Sequence, residues 1–506
     1  MANSLSKRYL LGYDLGSSSV KVSIIDSESG RSFASASSPE DEMAIQSPHP
    51  GWAEQDPELW WKHIITATAK LIQGSDISPT DIAAIGISYQ MHGLVLVDKN
   101  HHVLRPSIIW CDSRATEIGQ KAFQDIGNQS CLEHFLNSPG NFTASKLKWV
   151  KENEPVTYNK IHKMMLPGDF IAMKMTGKIS TTKSGLSEGI LWDYRSNGLA
   201  GLLLNYYGIS EDLIPTTHDS FEVAGELTSE AAEKLGLSTG IPISYRSGDQ
   251  PNNAFSLNVL QKGEIATTAG TSGVIYAVTE QPLYDPKSRV NSFVHVNHEE
   301  KNPSYGVLLC INGTGILNSW IKRNLLPEKI DYNEMNRRAD SVPIGSDNLS
   351  IFPFGNGSER ILKNQNPGAA FVGLDFNRHQ SPHVMRAAQE GIVFAMNYGF
   401  DIMKEMGVQA ETVKAGHSNM FLSPLFREAF VNTTGTVLEL YNTDGAEGAA
   451  RGAGVGAGIF KNYKEAFTGL TKIETLYPEP EKIDHYKEAG NRWLEILNQN
   501  ILDQTS

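Results

Sequence analysis

A chain of 506 residues is longer than one hydrophobic core usually supports, so two domains are expected, over residues 1–255 and 256–506. With 40% hydrophobic and 20% charged residues it is neither disordered nor fibrous, and a formal charge of -13 opposes the attraction that nucleic acid or anionic lipid needs. Nucleic-acid and membrane partners are therefore not expected, and a nucleotide bound by so acidic a chain needs metal ions and backbone amides to balance its phosphates.

The three cysteines, Cys111, Cys131 and Cys310, have no CxxC spacing, which argues against a zinc site or a disulfide framework and for a reduced, cytoplasmic setting. The opening MANSLSKRYL lacks the apolar core of a leader, and no run reaches the roughly 18 apolar residues of a membrane span.

In chain order, residues 9–14 and 20–26 are short β-prone runs separated by Gly16-Ser17-Ser18-Ser19, which reads as a hairpin. Residues 57–73 begin with proline and set Trp60, Ile64, Ala67 and Leu71 at helical spacing. Buried strands are expected at 82–89 and near 94–97, and helices at 144–153 and 166–176; residues 178–225 give no clear pattern. Residues 263–280 repeat the layout of 9–26 half a chain later, an apolar strand, a glycine and hydroxyl turn and a second strand, so the two halves read as related domains. Helices follow at 386–406 and 485–502, and the Gly/Ala-rich 446–460 reads as a helix packed too closely on its neighbour for larger side chains.

Four places could carry chemistry. In Asp14-Leu15-Gly16-Ser17-Ser18-Ser19-Val20-Lys21, glycine lets several N–H groups converge, the serines add donors, and Asp14 could hold Mg²⁺ directly or through water. Ala269-Gly270-Thr271-Ser272-Gly273 has the same chemistry. Alone, each loop reads equally well as a plain turn; two at equivalent positions suit a nucleotide held between domains. Asp249, in Gly248-Asp249-Gln250, follows a strand and could accept a proton from a hydroxyl attacking a γ-phosphate, though an isolated aspartate there is otherwise a turn former or helix cap. Gln90-Met91-His92-Gly93, with Trp110, Asp112 and Arg114 nearby, offers the mix of polar groups and aromatic face that a sugar pocket uses; singly these are packing or surface residues. The stretch His295–Glu300 lacks HExxH spacing and reads as an exposed loop, and no GxxxxGK[ST] loop is present.

With these motifs the chain resembles the FGGY family of carbohydrate kinases, and within it the xylulokinases, over nearly its whole length. The resemblance rests on YDLGSSSVK at 13–21, SYQMHG at 88–93, IIWCDSR at 108–114, SGDQPNNAF at 247–255, ATTAGTSG at 266–273 and the segment after NTDGAEGAA at 442–450. It implies an α/β fold of two actin/hexokinase-type (ribonuclease H-like) domains around an interdomain cleft, and ATP with Mg²⁺ as cofactors. It further implies D-xylulose as the sugar, Asp249 as base, Asp14 near metal and γ-phosphate, and Met91 and His92 as sugar contacts. Where many members carry a GGGA-type adenosine motif this chain reads AGHSNMF at 415–421, so only Gly416 and Asn419 are carried over. A kinase for ribulose, gluconate, erythritol or glycerol, or a non-catalytic actin-like nucleotide-binding or regulatory protein, is the alternative. A homodimer is the expected state for so large an acidic enzyme.

Overall fold

Alternating apolar residues close the first hairpin as the sequence predicts: β1 (Tyr9–Leu15) and β2 (Val20–Asp26) pair antiparallel around the Gly16–Ser19 turn. The computed structural model describes residues 8–502 except 327–329, 364, 366 and 410, so most of the stretch read for a leader lies outside the described residues. Strand β3 (Ser32–Ser38) extends the hairpin, helix α1 (Pro57–Gln73) crosses it, and β4 (Ile82–Tyr89) runs parallel to β1. The stretch without a clear pattern holds only short elements, among them α3 (Lys183–Glu188), which follows α2 (Thr143–Asn153) in the chain. Strands β5 (Gly225–Glu226) and β6 (Pro242–Gly248) complete a six-stranded sheet of order β5-β6-β4-β1-β2-β3, and α4 (Asp249–Ser256) leaves it.

The second sheet repeats the plan. Strands β7 (Ile265–Ala269) and β8 (Gly273–Thr279) form the second hairpin, and β9 (Asn291–Val294) and β10 (Tyr305–Ile311) continue antiparallel. Helices α5 (Gly315–Leu325) and α6 (Ser381–Glu405) come next, then β11 (Thr412–Gly416) and β12 (Val437–Asn442), both parallel to β7. Helix α7 (Gly445–Gly456), β13 (Thr471–Leu476) and α8 (Pro480–Ile496) end the chain. The run β3-β2-β1-β4-β6 in the first sheet and β10-β8-β7-β11-β12 in the second share order and sense, which makes the halves structural repeats. Among the described residues no helix is long and apolar enough to cross a membrane.

Pleating sorts each strand onto two faces. On β1, Leu11, Tyr13 and Leu15 join the core beneath α1, and on β4 so do Ile85, Ile87 and Tyr89. The opposite face carries Gly12 and Gly86, which are paired neighbours across the two strands. Helix α7 lies on that face: a Cβ at Gly12 would stand 2.0 Å from the Ala446 carbonyl oxygen, and one at Gly86 2.0 Å from that of Ala449. The Gly/Ala composition of 446–460 thus has the expected cause, although α7 comes from the second half of the sequence and seals the sheet of the first.

The two halves also share an apolar cluster in which Met91, Leu94 and Leu147 meet Tyr276, Phe293 and Leu308. His295–Glu300 departs from its reading as an exposed loop. His295, Val296 and Asn297 are buried because the His295 ring bridges the Tyr276 hydroxyl (2.9 Å) and the Val259 carbonyl (3.1 Å), and burial pushes its pKa down to about 4.

Gly86→Ala drives a methyl group into the backbone of α7, where no flexible side chain can yield. Overpacking typically costs about 1–3 kcal/mol even where neighbours shift. A markedly lower thermal midpoint or insoluble protein is expected by scanning calorimetry; an unchanged midpoint would mean that α7 docks with slack.

Candidate active site

Two carboxylates stand at the C-terminal ends of parallel strands. Asp14 is the penultimate residue of β1, and Asp249 opens α4 directly after β6. Ser88 of the intervening β4 donates to Asp14 Oδ1 at 2.8 Å. Desolvation, and then the charge of Asp14, push Asp249 up to about 7, against the pull of its own and the Gln250 N–H groups at the helix start. Asp14 is also raised, first by burial, with Asp444 adding and Ser88 opposing. Asp14 raises Asp249, and Asp444 raises Asp14, so the three acids make a place where a cation relieves repulsion. Among the described residues no three metal-ligating side chains converge, so the fit is to a hard ion held by one or two carboxylates with water and phosphate oxygens as remaining ligands, as Mg²⁺ commonly is.

Contacts join the two glycine and hydroxyl loops into one row. Gly445, at the start of α7, faces Asp14: a Cβ there would meet Asp14 Oδ2 at 2.3 Å, and the Gly445 carbonyl accepts from Asn252 Nδ2 at 2.8 Å. Asp444 caps the N-terminus of α7 and pairs with Lys21. One residue back, the Thr443 carbonyl lies 3.5 Å from the Cβ position of Gly416. Gly416 leads into Asn419, whose Nδ2 lies 3.6 Å from the Cβ position of Gly270. Gly270 and Thr271 are held by their carbonyls, which accept from Thr314 Oγ1 at 2.9 and 3.2 Å at the start of α5, leaving their N–H groups for a ligand; Thr271 is exposed and Ser272 half-buried. In the first loop Ser18 is exposed, Gly16, Ser17 and Ser19 are half-buried, and Trp110 Nε1 reaches Ser17 Oγ at 3.3 Å. Lys21, which ends that motif and carries the charge a phosphate could meet, has Asp444 as its present partner, which a phosphate would have to replace.

The Gln90–Gly93 loop packs on Gly248, the residue before Asp249. Met91 Cγ and Glu188 Oε2 come within 2.6 and 2.4 Å of where a Cβ at Gly248 would be, so only glycine fits beside Asp249. His92 takes a left-handed φ of 61° and is partly exposed, and its Nδ1 donates to the Glu188 carbonyl at 2.9 Å. Burial and nearby Lys146 hold the ring neutral, down at about 3. A neutral ring donating from Nδ1 offers Nε2 as an acceptor, as a hydroxyl requires. Gly93 must be small, because a Cβ there would strike Pro167 Cγ at 2.5 Å.

Gln90 is buried, its amide donating to Gln55 Oε1 at 3.3 Å while its own Oε1 has no hydrogen-bond partner among the described residues. Two other residues read as sugar contacts are instead tied up within the protein. Asp112 and Arg114 form a buried network: Arg114 pairs with Asp112 and Glu54, both at 2.7 Å, and lies over the rings of Trp52 and Trp149. With side chains 0–1% exposed, Asp112 and Arg114 have no surface to offer a ligand. The pairing with Glu54, some sixty residues away, is what the local pattern could not reveal.

Residues 9–256 match the N-terminal domain, and residues 265–459 the C-terminal domain, of the FGGY family of carbohydrate kinases. The chain belongs to that family. It is 30% identical to the xylulose kinase of Bacillus subtilis (strain 168) over 492 residues, 95% of each chain. The structure of a xylulose kinase from Lactobacillus acidophilus gives a TM-score of 0.88 at 23% identity, covering 98% of this chain and 99% of that one. A gluconate kinase structure from the same organism gives 0.87 at 23%, with the same coverage. Equal likeness to kinases of two different sugars speaks for the fold and not for the substrate.

Two groups of this FGGY kinase escaped the motifs. Lys146, fully buried on α2, donates to the carbonyls of His92 and Ile109, both at 2.9 Å, and so ties together the segments 90–93 and 108–114; burial pushes its pKa down to about 8. Glu188 is buried beside Gly248, with neither oxygen in a hydrogen bond of normal geometry. The His92 N–H and Tyr89 hydroxyl are near enough to pull its pKa down, but desolvation and the charge of Asp249 outweigh them and raise it well above the carboxylate range.

Bonds to a charged donor contribute about 1.5–3 kcal/mol each. Lys146→Met should therefore lower the thermal midpoint and raise the KM for sugar at least tenfold, with the KM for nucleotide within twofold. Equal rises in both would show that Lys146 supports the whole domain and not the sugar loops.

Proposed function

We propose that the protein transfers the γ-phosphoryl group of ATP to a hydroxyl of D-xylulose, giving D-xylulose 5-phosphate. The observation that carries the reading is the position of Asp249: first in its helix, next to the Gly248 on which Met91 packs, within electrostatic reach of Asp14, with a pKa raised to about 7. A base poised near the working pH deprotonates a hydroxyl yet releases the proton again. The names of the full-length relatives support D-xylulose as the sugar.

In this reading His92 Nε2 accepts from one sugar hydroxyl and orients the reacting one toward Asp249. The attacking oxygen forms its bond to the γ-phosphorus as the bond to the β-phosphate oxygen breaks, and the proton passes to Asp249. The N–H groups of Ser17–Ser19 and Gly270–Ser272 bind the phosphate oxygens as charge spreads over them, while the Gly16 N–H closes the turn on the Ser19 carbonyl at 3.0 Å. Mg²⁺, held by Asp14 directly or through water, would neutralise phosphate charge when bound. Closure of the domains on both substrates excludes water, which limits hydrolysis of ATP.

A sugar panel tests the substrate. D-Xylulose should give the highest kcat/KM among xylulose, ribulose, gluconate, erythritol and glycerol; a higher value for any other moves the reading to that sugar. ADP release that is independent of every sugar, with concentration-dependent light scattering, would point to an assembly protein instead.

Asp249→Asn should lower kcat by about 10²–10⁴. Because the base must be ionised, kcat/KM for the sugar should fall as pH drops through about 7. The same raised pKa predicts a stability effect of opposite sense. The folded state holds the proton more tightly than the unfolded chain, so this site favours folding at low pH, and the advantage is lost as pH rises through about 7. Asp249→Asn should thus melt above the wild type at pH 8, with the gap shrinking at pH 5. A gap that widens on acidification would contradict the assignment.

A further inference from the structure

We propose that Arg360, from the C-terminal domain, is a positioning residue for the sugar site: it holds Phe142, and through it His92, so that the nucleotide-side domain senses an occupied sugar pocket. The inference rests on the reading of His92 as a sugar contact.

The His92 ring packs with two phenyl rings in a three-cornered cluster. Phe142 of the N-terminal domain meets it edge-on, with centroids 4.8 Å apart at 80°. Phe293, from the outermost strand of the second sheet, lies 5.6 Å away and 6.2 Å from Phe142. Arg360 lies in a short 3-10 turn, Glu359–Leu362. Its guanidinium carbon is 4.8 Å from the Phe142 ring centroid, and Nη1 donates to Ser138 Oγ at 3.1 Å. Its Nη2 stands 2.6 Å from where a Cβ at Gly140 would be, and Gly140 has a φ of +40°, so that glycine is what admits the arginine.

These contacts impose one geometry. The planar cation over Phe142, fixed at Ser138, limits how that ring can tilt, and the tilt of Phe142 sets the edge against which His92 packs. With Nδ1 fixed on the Glu188 carbonyl, a small rotation of the ring moves Nε2, the atom offered to the sugar. The second domain reinforces the seat independently: Asn137 Nδ2 donates to the Ser292 carbonyl at 2.8 Å, and the Ser292 N–H donates to Asn137 Oδ1 at 3.0 Å. A sugar that fixes His92 therefore stabilises a cross-domain contact, and linkage requires that this contact favour the sugar by the same factor.

The test uses full-length enzyme and whichever panel sugar the wild type phosphorylates best. Arg360→Met keeps chain length and removes the cation. It should raise the sugar KM about fivefold to thirtyfold, leave the ATP KM within twofold, and increase the fraction of ADP released without sugar phosphate. Arg360→Lys should restore part of the loss. Phe142→Leu should raise the sugar KM likewise, and the double variant should be no worse than the poorer single one, since both break the same link. Ser138→Ala, which removes only the anchor, gives a milder rise and serves if Arg360→Met fails to fold. Parallel rises in both KM values, or additive losses in the double variant, overturn the proposal. A wild type that phosphorylates no sugar in the panel overturns instead the reading on which it rests.

Discussion

The contact of α7 with the glycines of β1 and β4 determines where almost everything else can be. A helix carrying ordinary side chains would stand farther from the sheet, and the Asp444–Gly445 turn would then lie away from Asp14. The helix is a poor one by composition, since glycine costs about 1 kcal/mol relative to alanine in a helix interior. Gly448, Gly452 and Gly454 all fall within it. Its stability comes from docking: Gly452 lies against the Tyr245 ring, Gly448 against Asn252 and Ser256, and Ser244 donates to the Ala453 carbonyl at 2.8 Å. The interaction that shapes the acid pair is thus also the one that makes the helix fold.

Electrostatics at the site follow from that geometry. Asp249 has the N–H groups of a helix start to stabilise its charge, and burial with Asp14 close by still prevails. A pair of acids held together in this way is unfavourable for the empty protein. In the proposed reaction it becomes favourable when phosphate, cation and hydroxyl arrive, which is the usual cost of a site arranged for a charge distribution it does not itself contain. The net acidity of the chain fits the proposed reaction, in which backbone amides and not a field of lysines meet the phosphates.

Much of this was legible in the sequence where the signal is local. The hairpins at 9–26 and 263–280 announce themselves by alternation around glycine and hydroxyl turns, and their repetition marks the two halves. The Gly/Ala run betrays close packing, though not against which sheet, because a partner several hundred residues away leaves no local trace. The same limit explains the misread pocket groups. Arg114 and Asp112 look like ligands until Glu54 and two tryptophans close over them, while Lys146 looks like an ordinary charge on an amphipathic helix until two loop carbonyls claim it. Glu188 sits where no motif could be read, and Arg360 acts across a domain boundary.

That α7 belongs to the second half of the chain has a consequence for synthesis. A nascent polypeptide that has completed β6 has every strand of its first sheet, yet one side of that sheet stays uncovered until residue 456 has left the ribosome. Over that interval the glycine-lined surface is open to the wrong partners, so the hazard of misassembly is concentrated between the two halves of translation, and the N-terminal unit becomes whole only when the C-terminal unit is nearly finished.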